Sequence, residues 1–264
     1  MSEGFIQRIE RVDEQRLGGT LKKAFGDGRY LPTRAKFASH FDEKFVVRSQ
    51  RANGSLLASL CDKYGSDKGT EGSISTPYPW PAHTYAQFYE QLFSHCRESI
   101  TSVLECGIGT NNPTLTSTMG AQGAPGASLR VWRDYFPNAN VIGVDIDREI
   151  LFSDERIATY FVDQTNQQTV REMWVAIGDP EMDLIIDDGL HTFAAARSFF
   201  EASVTQLKPA GIYVVEDVLA EDLNDFVAYF DGSPFDVDYV SLYRQGVALG
   251  DNMLIVVRHA ATNA

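Results

Sequence analysis

The chain is short of the residues that tie a protein to a disulfide scaffold, a membrane or a polyanion. Three cysteines occur in 264 residues: Cys61, Cys96 and Cys106. An odd count without framework spacing excludes a disulfide-stapled fold and points to a reducing compartment. No apolar run approaches the roughly 20 residues of a membrane-spanning helix. The opening segment, Met1-Ser-Glu-Gly-Phe-Ile-Gln-Arg-Ile-Glu10, lacks the apolar centre of a secretory signal. The expectation is a cytoplasmic protein with no membrane partner. Positive charge is scarce as well: 23 Lys and Arg stand against 36 Asp and Glu, for a formal net charge of -13. Duplex binding needs a basic stripe, so no nucleic acid partner is expected. A small anionic ligand stays possible, because one lysine or one helix N-terminus suffices to hold it.

A glycine is missing too. Ser102-Val-Leu-Glu-Cys-Gly-Ile-Gly-Thr-Asn-Asn112 reads as a strand running into a glycine-bearing loop. Glycines there let a ligand approach the backbone closely. The dinucleotide fingerprint requires a third glycine where Asn112 stands, so the dehydrogenase pattern is incomplete. Glu105, just before the glycines, suits a cationic ammonium rather than a pyrophosphate.

What the chain does have is acid at strand ends. Asp183-Leu-Ile-Ile-Asp187-Asp188-Gly189-Leu-His191 and Gly211-Ile-Tyr-Val-Val-Glu216-Asp217 are short apolar runs that end in carboxylates. Such runs read as buried parallel strands, and open α/β sheets bind ligands outside the carboxyl ends of their strands. If the two strands are neighbours, Asp187, Asp188, Glu216 and Asp217 crowd one pocket. Crowded carboxylates call for a cation, and His191 is close enough in sequence to serve as base. The plainer alternatives are that Asp187 caps the loop or bonds to backbone in the core, and that His191 is structural. Glu216 and Asp217 are adjacent, so both reach one ion only if the strand has already ended.

The remaining elements frame this pair. Residues 1–60 read as a helical extension, with helices at Phe5–Ile9 and Phe37–Val47, breaks at Gly18-Gly19 and Gly26–Gly28, and His40 on a structural face. Ser55–Tyr64 reads as a helix stopped by Gly65. The loop Gly65-Ser66-Asp67-Lys68-Gly69 has the composition of a solvated turn. Tyr85–Phe93 carries apolar residues at helical spacing, its aromatics read as core. Residues 113–128 read as an inserted loop, and Leu129–Tyr135 as a helix. Asn140–Asp145 is the second strand, its terminal acid able to accept both hydroxyls of a ribose. Gly107 and Asp145 lie farther apart than the roughly 20 residues of a compact unit, and the insertion accounts for the excess. Arg156–Val162 is the third strand, followed by Asp163-Gln164, either an adenine-edge contact or a cap for a helix over 165–177. Thr192–Leu207 is a helix, with Lys208-Pro-Ala-Gly211 before the fifth strand. Glu221–Phe230 is a helix. Phe235–Tyr243 and Met253–Arg258 are strands joined by too short a link for a crossover, hence an antiparallel hairpin, with His259 exposed beyond it. The fold class expected is α/β: a Rossmann-like doubly wound sheet, mostly parallel with a C-terminal antiparallel hairpin, plus the N-terminal helical extension at 1–60 before a domain at 61–264.

These motifs resemble those of class I S-adenosylmethionine-dependent methyltransferases, and more narrowly the metal-dependent macrolide-type sugar O-methyltransferases of the demethylmacrocin and mycinamicin kind. The residues that carry the resemblance span 61–218: Tyr64-Gly-Ser-Asp-Lys68, Leu104-Glu-Cys-Gly-Ile-Gly109, Ser128–Pro137, Asp163-Gln164, Asp187–His191 and Gly211–Asp217. Most specific is the pairing of D-D-G-x-H with E-D. The resemblance implies S-adenosyl-L-methionine as cofactor, with Glu105, Gly107, Ser128 and the Tyr64, Ser66 and Lys68 loop at its methionine end. It places Asp145 at the ribose and Asp163 and Gln164 near adenine, with Asp187 also among the cofactor-binding residues. It implies Mg²⁺ or another divalent cation on Asp188, Glu216 and Asp217, with His191 and Asp188 catalytic and His191 as base. The chain departs from the family pattern at Leu190, where Ser is usual, and carries Cys106 in the glycine loop. Residues 1–60 match nothing in it.

The function implied is metal-assisted O-methylation of a sugar or glycoside hydroxyl in natural-product or polysaccharide biosynthesis, by a homo-oligomer. An alcohol is a poor nucleophile until its proton leaves. A hard cation lowers a hydroxyl's pKa, and a histidine titrating near neutrality can take the proton. The competing readings are a non-sugar vicinal diol such as a catechol as acceptor, and a nucleotide-binding Rossmann protein that is no methyltransferase.

Overall fold

The computed structural model describes the backbone of residues 45–48 and, with side chains, residues 54–71, 78, 80–242 and 252–260. Contacts divide the chain into two units, Met1–Phe45 and Val46–Ala264, and the second holds every element below. The helix expected at Phe5–Ile9, the glycine breaks and His40 lie outside the described residues. Of the helix expected at Phe37–Val47, the described end is a strand, β1 (Phe45–Arg48), as its run of Phe and Val favours.

The centre of the sheet is built from the apolar runs. β2 (Ser102–Cys106) pairs in parallel with β3 (Asn140–Asp145) on one side and with β6 (Met182–Asp187) on the other. Outside β3 lie β5 (Ile157–Phe161), parallel to it, and the two-residue β4 (Ser153–Asp154), antiparallel to β5. Outside β6 lies β7 (Leu207–Val215), parallel to it. The order across the sheet is β1-β8-β9-β7-β6-β2-β3-β5-β4. The chain leaves β2 toward β3 and returns on its opposite flank at β6. The crevice outside the carboxyl end of β2 is therefore the topological switch point where such sheets take ligands.

Between the strands run α1 (Leu56–Tyr64), α2 (Tyr85–Phe93), α3 (Ala127–Tyr135), α4 (Gln167–Ile177), α5 (Phe193–Ser203) and α6 (Leu223–Phe230). The Ser55 side chain caps α1 by accepting from the Ala58 N–H, and Glu90 of α2 accepts from the Leu57 N–H at 2.9 Å. Gly65 ends α1 in the left-handed conformation that favours glycine there. Asn166, rather than Asp163 or Gln164, caps α4 by accepting from the Gln168 N–H. The α2 and α3 faces meet through aromatic rings: Tyr89 on Trp132 at 5.0 Å between centroids, and Phe93 on Phe136 at 5.3 Å.

Several boundaries differ from the sequence pattern. α3 starts at Ala127, so Ser128 belongs to the helix and not to the inserted loop. α5 ends at Ser203, where a short 3-10 turn, Val204–Gln206, takes over. β7 starts at Leu207, but Met182 faces Leu207 and Leu184 faces Ile212, so Lys208-Pro-Ala-Gly211 bulges out of the ladder. Proline has no N–H to give, and a bulge is where a strand tolerates it. β8 (Phe235–Leu242) and β9 (Met253–His259) pair antiparallel, and β9 also pairs antiparallel with β7. His259 is exposed at the end of β9. Among the described residues, no helix is long and apolar enough to cross a membrane.

Candidate active site

Three strand ends deliver the acids. Glu105 is the fourth residue of β2, Asp187 closes β6, and β7 stops at Val215. Glu216 and Asp217 therefore sit beyond the ladder, which frees adjacent side chains from opposite faces. Asp217 takes φ 50° and His191 takes φ 57°, left-handed values that few non-glycine residues adopt. Each costs about 1–3 kcal/mol, the kind of strain that collects at functional sites. The glycine loop closes the wall. Gly107 has φ +84°, and a Cβ on it would lie 2.0 Å from the Asp188 carbonyl oxygen. Only glycine lets the loop after β2 touch the loop after β6.

The acids form two linked halves. In the inner half, Lys68 Nζ lies 2.6 Å from Asp188 Oδ2 and 3.1 Å from Glu105 Oε1, and donates to Glu216 Oε2. Lys68 is 3 % exposed, Glu105 0 % and Glu216 1 %, so the solvated turn expected there is a buried ion-pair centre. Tyr89 donates to Glu216 Oε1 at 2.6 Å, which leaves each Glu216 oxygen with a partner. In the outer half, His191 Nε2 lies 3.3 Å from Asp188 Oδ1 and 3.9 Å from Asp217 Oδ2. Tyr85 donates to Asp217, and His83 Nδ1 lies 3.5 Å from Asp217 Oδ1. Asp188 joins the halves, one oxygen to each. Asp188, His191 and Asp217 each offer a donor atom, all within 4.8 Å of one another, a set with the hard oxygens that Mg²⁺-like cations choose.

The electrostatics follow the packing. Burial opposes ionisation of Asp188, but Lys68 and His191 outweigh it and hold the carboxyl well below the usual range. Burial opposes the His191 cation too; the Asp188 hydrogen bond and the Asp188 and Asp217 charges outweigh that and raise its pKa to about 9. Burial pushes Glu216 upward against the pull of Lys68. Burial likewise lifts Asp187 to about 7.

A cavity of about 580 Å³ opens beside the cluster, walled by Lys68, Gly107, Asp145, Gln164, His191 and Asp217 among others. Ser66, Ser128, Asp163, Asp188 and Glu216 also line it, whereas Tyr64, Glu105 and Asp187 do not. The Tyr64 hydroxyl is turned to Asp134 of α3 instead. Asp187 sits beneath the wall, where Gln164 Nε2 donates to its Oδ1 and its Oδ2 is buried without a hydrogen bond. Gln164 Oε1 accepts from the Leu190 N–H at 2.9 Å, so this amide braces the loop after β6. Asp145 accepts from the Ile108 and Asp147 N–H groups, each at 2.9 Å. Glu105 Oε2 accepts from Ser128 at 2.6 Å and from the Trp132 indole at 3.2 Å, while its Oε1 faces the Lys68 ammonium at 3.1 Å.

Tyr85, Tyr89 and His83 were not visible as site residues in the sequence. The rings of Tyr85 and Tyr89 are core, as expected, but their hydroxyls end on site acids. The available signal was Tyr rather than Phe at two buried positions four apart, because a buried phenol needs a partner.

No family model matches the chain. Among curated proteins it is 35% identical, over 61% of its length, to the 8-demethyl-8-alpha-L-rhamnosyl tetracenomycin-C 2'-O-methyltransferase of Streptomyces olivaceus, covering 37% of that protein. It is 28% identical over 89% of its length to the demethylmacrocin O-methyltransferase of Streptomyces fradiae, covering 57% of it. It is 26% identical over 97% to the mycinamicin VI 2''-O-methyltransferase of Micromonospora griseorubida, covering 62%. The chain is thus similar in sequence to three proteins named as O-methyltransferases. It spans less than two thirds of the length of each of these three relatives. Its fold is that of the MycE methyltransferase from the mycinamycin pathway, solved with Mg and SAH: TM-score 0.53 at 20% identity, covering 80% of this chain and 55% of that one. The doubly wound, mostly parallel sheet expected from the sequence, with its antiparallel C-terminal strands, is thus the fold found.

Proposed function

We propose that the protein transfers a methyl group from S-adenosyl-L-methionine to a sugar hydroxyl, with the assistance of a divalent cation, in natural-product biosynthesis. The observation that carries this reading is the convergence of Asp188, His191 and Asp217 on one wall of a cavity whose other wall is the glycine loop. S-adenosylmethionine supplies, when bound, an electrophilic methyl on a sulfonium. Its fit is supported by the cavity wall that Gly107, Ile108, Ser128 and Asp145 form at the carboxyl end of β2, with Glu105 buried just behind it. Asp145, already oriented by two backbone N–H groups, keeps lone pairs for ribose hydroxyls. Ser128 aims Glu105, Ser66 and Lys68 close the methionine side, and Asp163 with Gln164 borders the adenine side, with Asp187 beneath.

A divalent cation supplies, when bound, the charge that lowers the pKa of a hydroxyl. Asp188 and Asp217 are its ligands in this proposal, with Glu216 completing the set. His191, which Asp188 and Asp217 hold protonated, would become free to take the hydroxyl proton once a cation on those two carboxylates offsets their charge. Asp188 orients that ring, and the fixed loops after β6 and β7 hold the reacting groups in line. Leu190 leaves this arrangement untouched, since its backbone N–H rather than its side chain braces Gln164. The protein is proposed to self-associate. The acceptor is proposed to be a glycoside or nucleotide sugar, and the compartment the cytoplasm.

The test is methyl transfer to a glycoside panel, including a catechol, before and after thorough metal removal with EDTA. The expected outcome is transfer to a sugar hydroxyl that is lost with the metal and restored by Mg²⁺. Undiminished activity in EDTA would defeat the metal role, and transfer to the catechol alone would move the acceptor class.

A further inference from the structure

We infer that Lys68 and the divalent cation draw on the same carboxylates, so that Lys68 sets how tightly the cation is held. The inference rests on the metal-assisted reading above. It starts from how the ammonium is delivered. Lys68 belongs to the loop that leaves α1 at Gly65, and its carbonyl accepts from the Ala86 N–H of α2 at 2.8 Å. Gly69 packs so tightly on Ala86 that a Cβ there would lie 2.3 Å from the alanine's. The loop is therefore pinned to α2, and Nζ is placed among Glu105, Asp188 and Glu216 by fixed backbone.

Lys68 is the reason those three acids can be buried together. Like charges this close repel, and one ammonium bonded to Asp188 and Glu216 and within 3.1 Å of Glu105 relieves them together. The same ammonium stands against a second cation. Asp188 gives Oδ2 to Lys68 and turns Oδ1 to the His191 and Asp217 side. Both oxygens of Glu216 are already engaged, by Lys68 and Tyr89. A divalent ion that takes Asp188 fully, or takes Glu216 at all, displaces Nζ from one of them. Even where it keeps to Asp188 Oδ1 and Asp217, it lies a few ångströms from a positive charge shielded by little water. Lys68 thus keeps the site assembled between metal-bound states and weakens the hold on the metal when it is bound.

The test measures cation binding itself, on the full chain without cofactor or acceptor. Mn²⁺ is titrated by electron paramagnetic resonance into the wild type and Lys68→Gln, which keeps a polar side chain without the charge. The expected result is Mn²⁺ bound at least roughly tenfold more tightly by the variant, as removal of one nearby charge predicts. Equal or weaker binding would overturn the inference and make Lys68 a scaffold only. Should the variant fail to fold, a crystal structure of the wild type with Mn²⁺ decides. Nζ withdrawn from Asp188 or Glu216 supports the competition, and all three contacts kept with the ion bound rejects it. If the wild type takes up no Mn²⁺ at all, the metal-assisted reading falls and this inference with it. Binding that is indifferent to Lys68→Gln sinks the inference alone.

Discussion

At the scale of single residues, the site depends on which oxygen faces which cation. Asp188 bonds Lys68 through one oxygen and faces His191 with the other, so one side chain links the buried ion-pair centre to the histidine. If His191 is the base, His191→Ala removes proton transfer and little else. The expected loss in kcat is about 10²- to 10⁴-fold, the usual contribution of a positioned base, with S-adenosylhomocysteine affinity unchanged by calorimetry. A matched loss of cofactor affinity would instead make His191 a wall residue. The placement of Asp188, Glu216 and Asp217 just past strand ends could be read along the chain because each follows an apolar run that cannot continue past a charge. Tyr85 and Tyr89 could not, because their partners Asp217 and Glu216 lie 132 and 127 residues away. Tyr64 misleads for a related reason. It belongs to the same short motif as Lys68, yet the helix ends between them and turns its ring to α3.

At the scale of elements, one contact ties α1 to α3 behind the cofactor loop. Asp134 accepts from Tyr64, Lys63 and Arg133. Burial alone would raise its pKa, but those three donors outweigh burial and lower it to about 2. A carboxyl whose folded pKa lies below the ordinary 3.8 stabilises the fold above that pH and loses the contribution as pH falls through its folded value. The group is partly solvated, so its worth is discounted to about 1 kcal/mol. Asp134→Asn is therefore expected to lower the melting temperature near pH 7 by roughly 2–4 °C. The gap should close as pH drops from 3.8 toward about 2. A gap independent of pH, measured by circular dichroism melts, would mean that the aspartate's shape and not its charge matters. Element boundaries were legible where a local device sets them, as with Ser55 and Gly65 around α1. They were less so at β7, where the bulge at Lys208–Gly211 is decided by the register against β6.

At the scale of the whole molecule, the order of strands turns scattered acids into one pocket. β2 has β3 on one flank and β6 on the other, and β7 lies outside β6. Four carboxyl ends therefore open on the same edge, where a ligand bridging them should stabilise the whole unit. S-adenosylhomocysteine at 100 times its dissociation constant is expected to add about 2.7 kcal/mol, or roughly 5–10 °C in melting temperature for a unit of this size. NAD at the same concentration should add nothing. A shift with NAD, or with neither, would remove the basis for methyl transfer. The chain's own order of residues already determined the fold class, the acidic strand ends and their neighbour His191. Those follow from hydrophobic runs, punctuation and charge, which act over a few residues. Only the folded sheet decided that Lys68 sits buried among Glu105, Asp188 and Glu216, and that Tyr64 and Asp187 stand away from the cavity. Such facts depend on distances between segments far apart in the chain, and no local pattern encodes them.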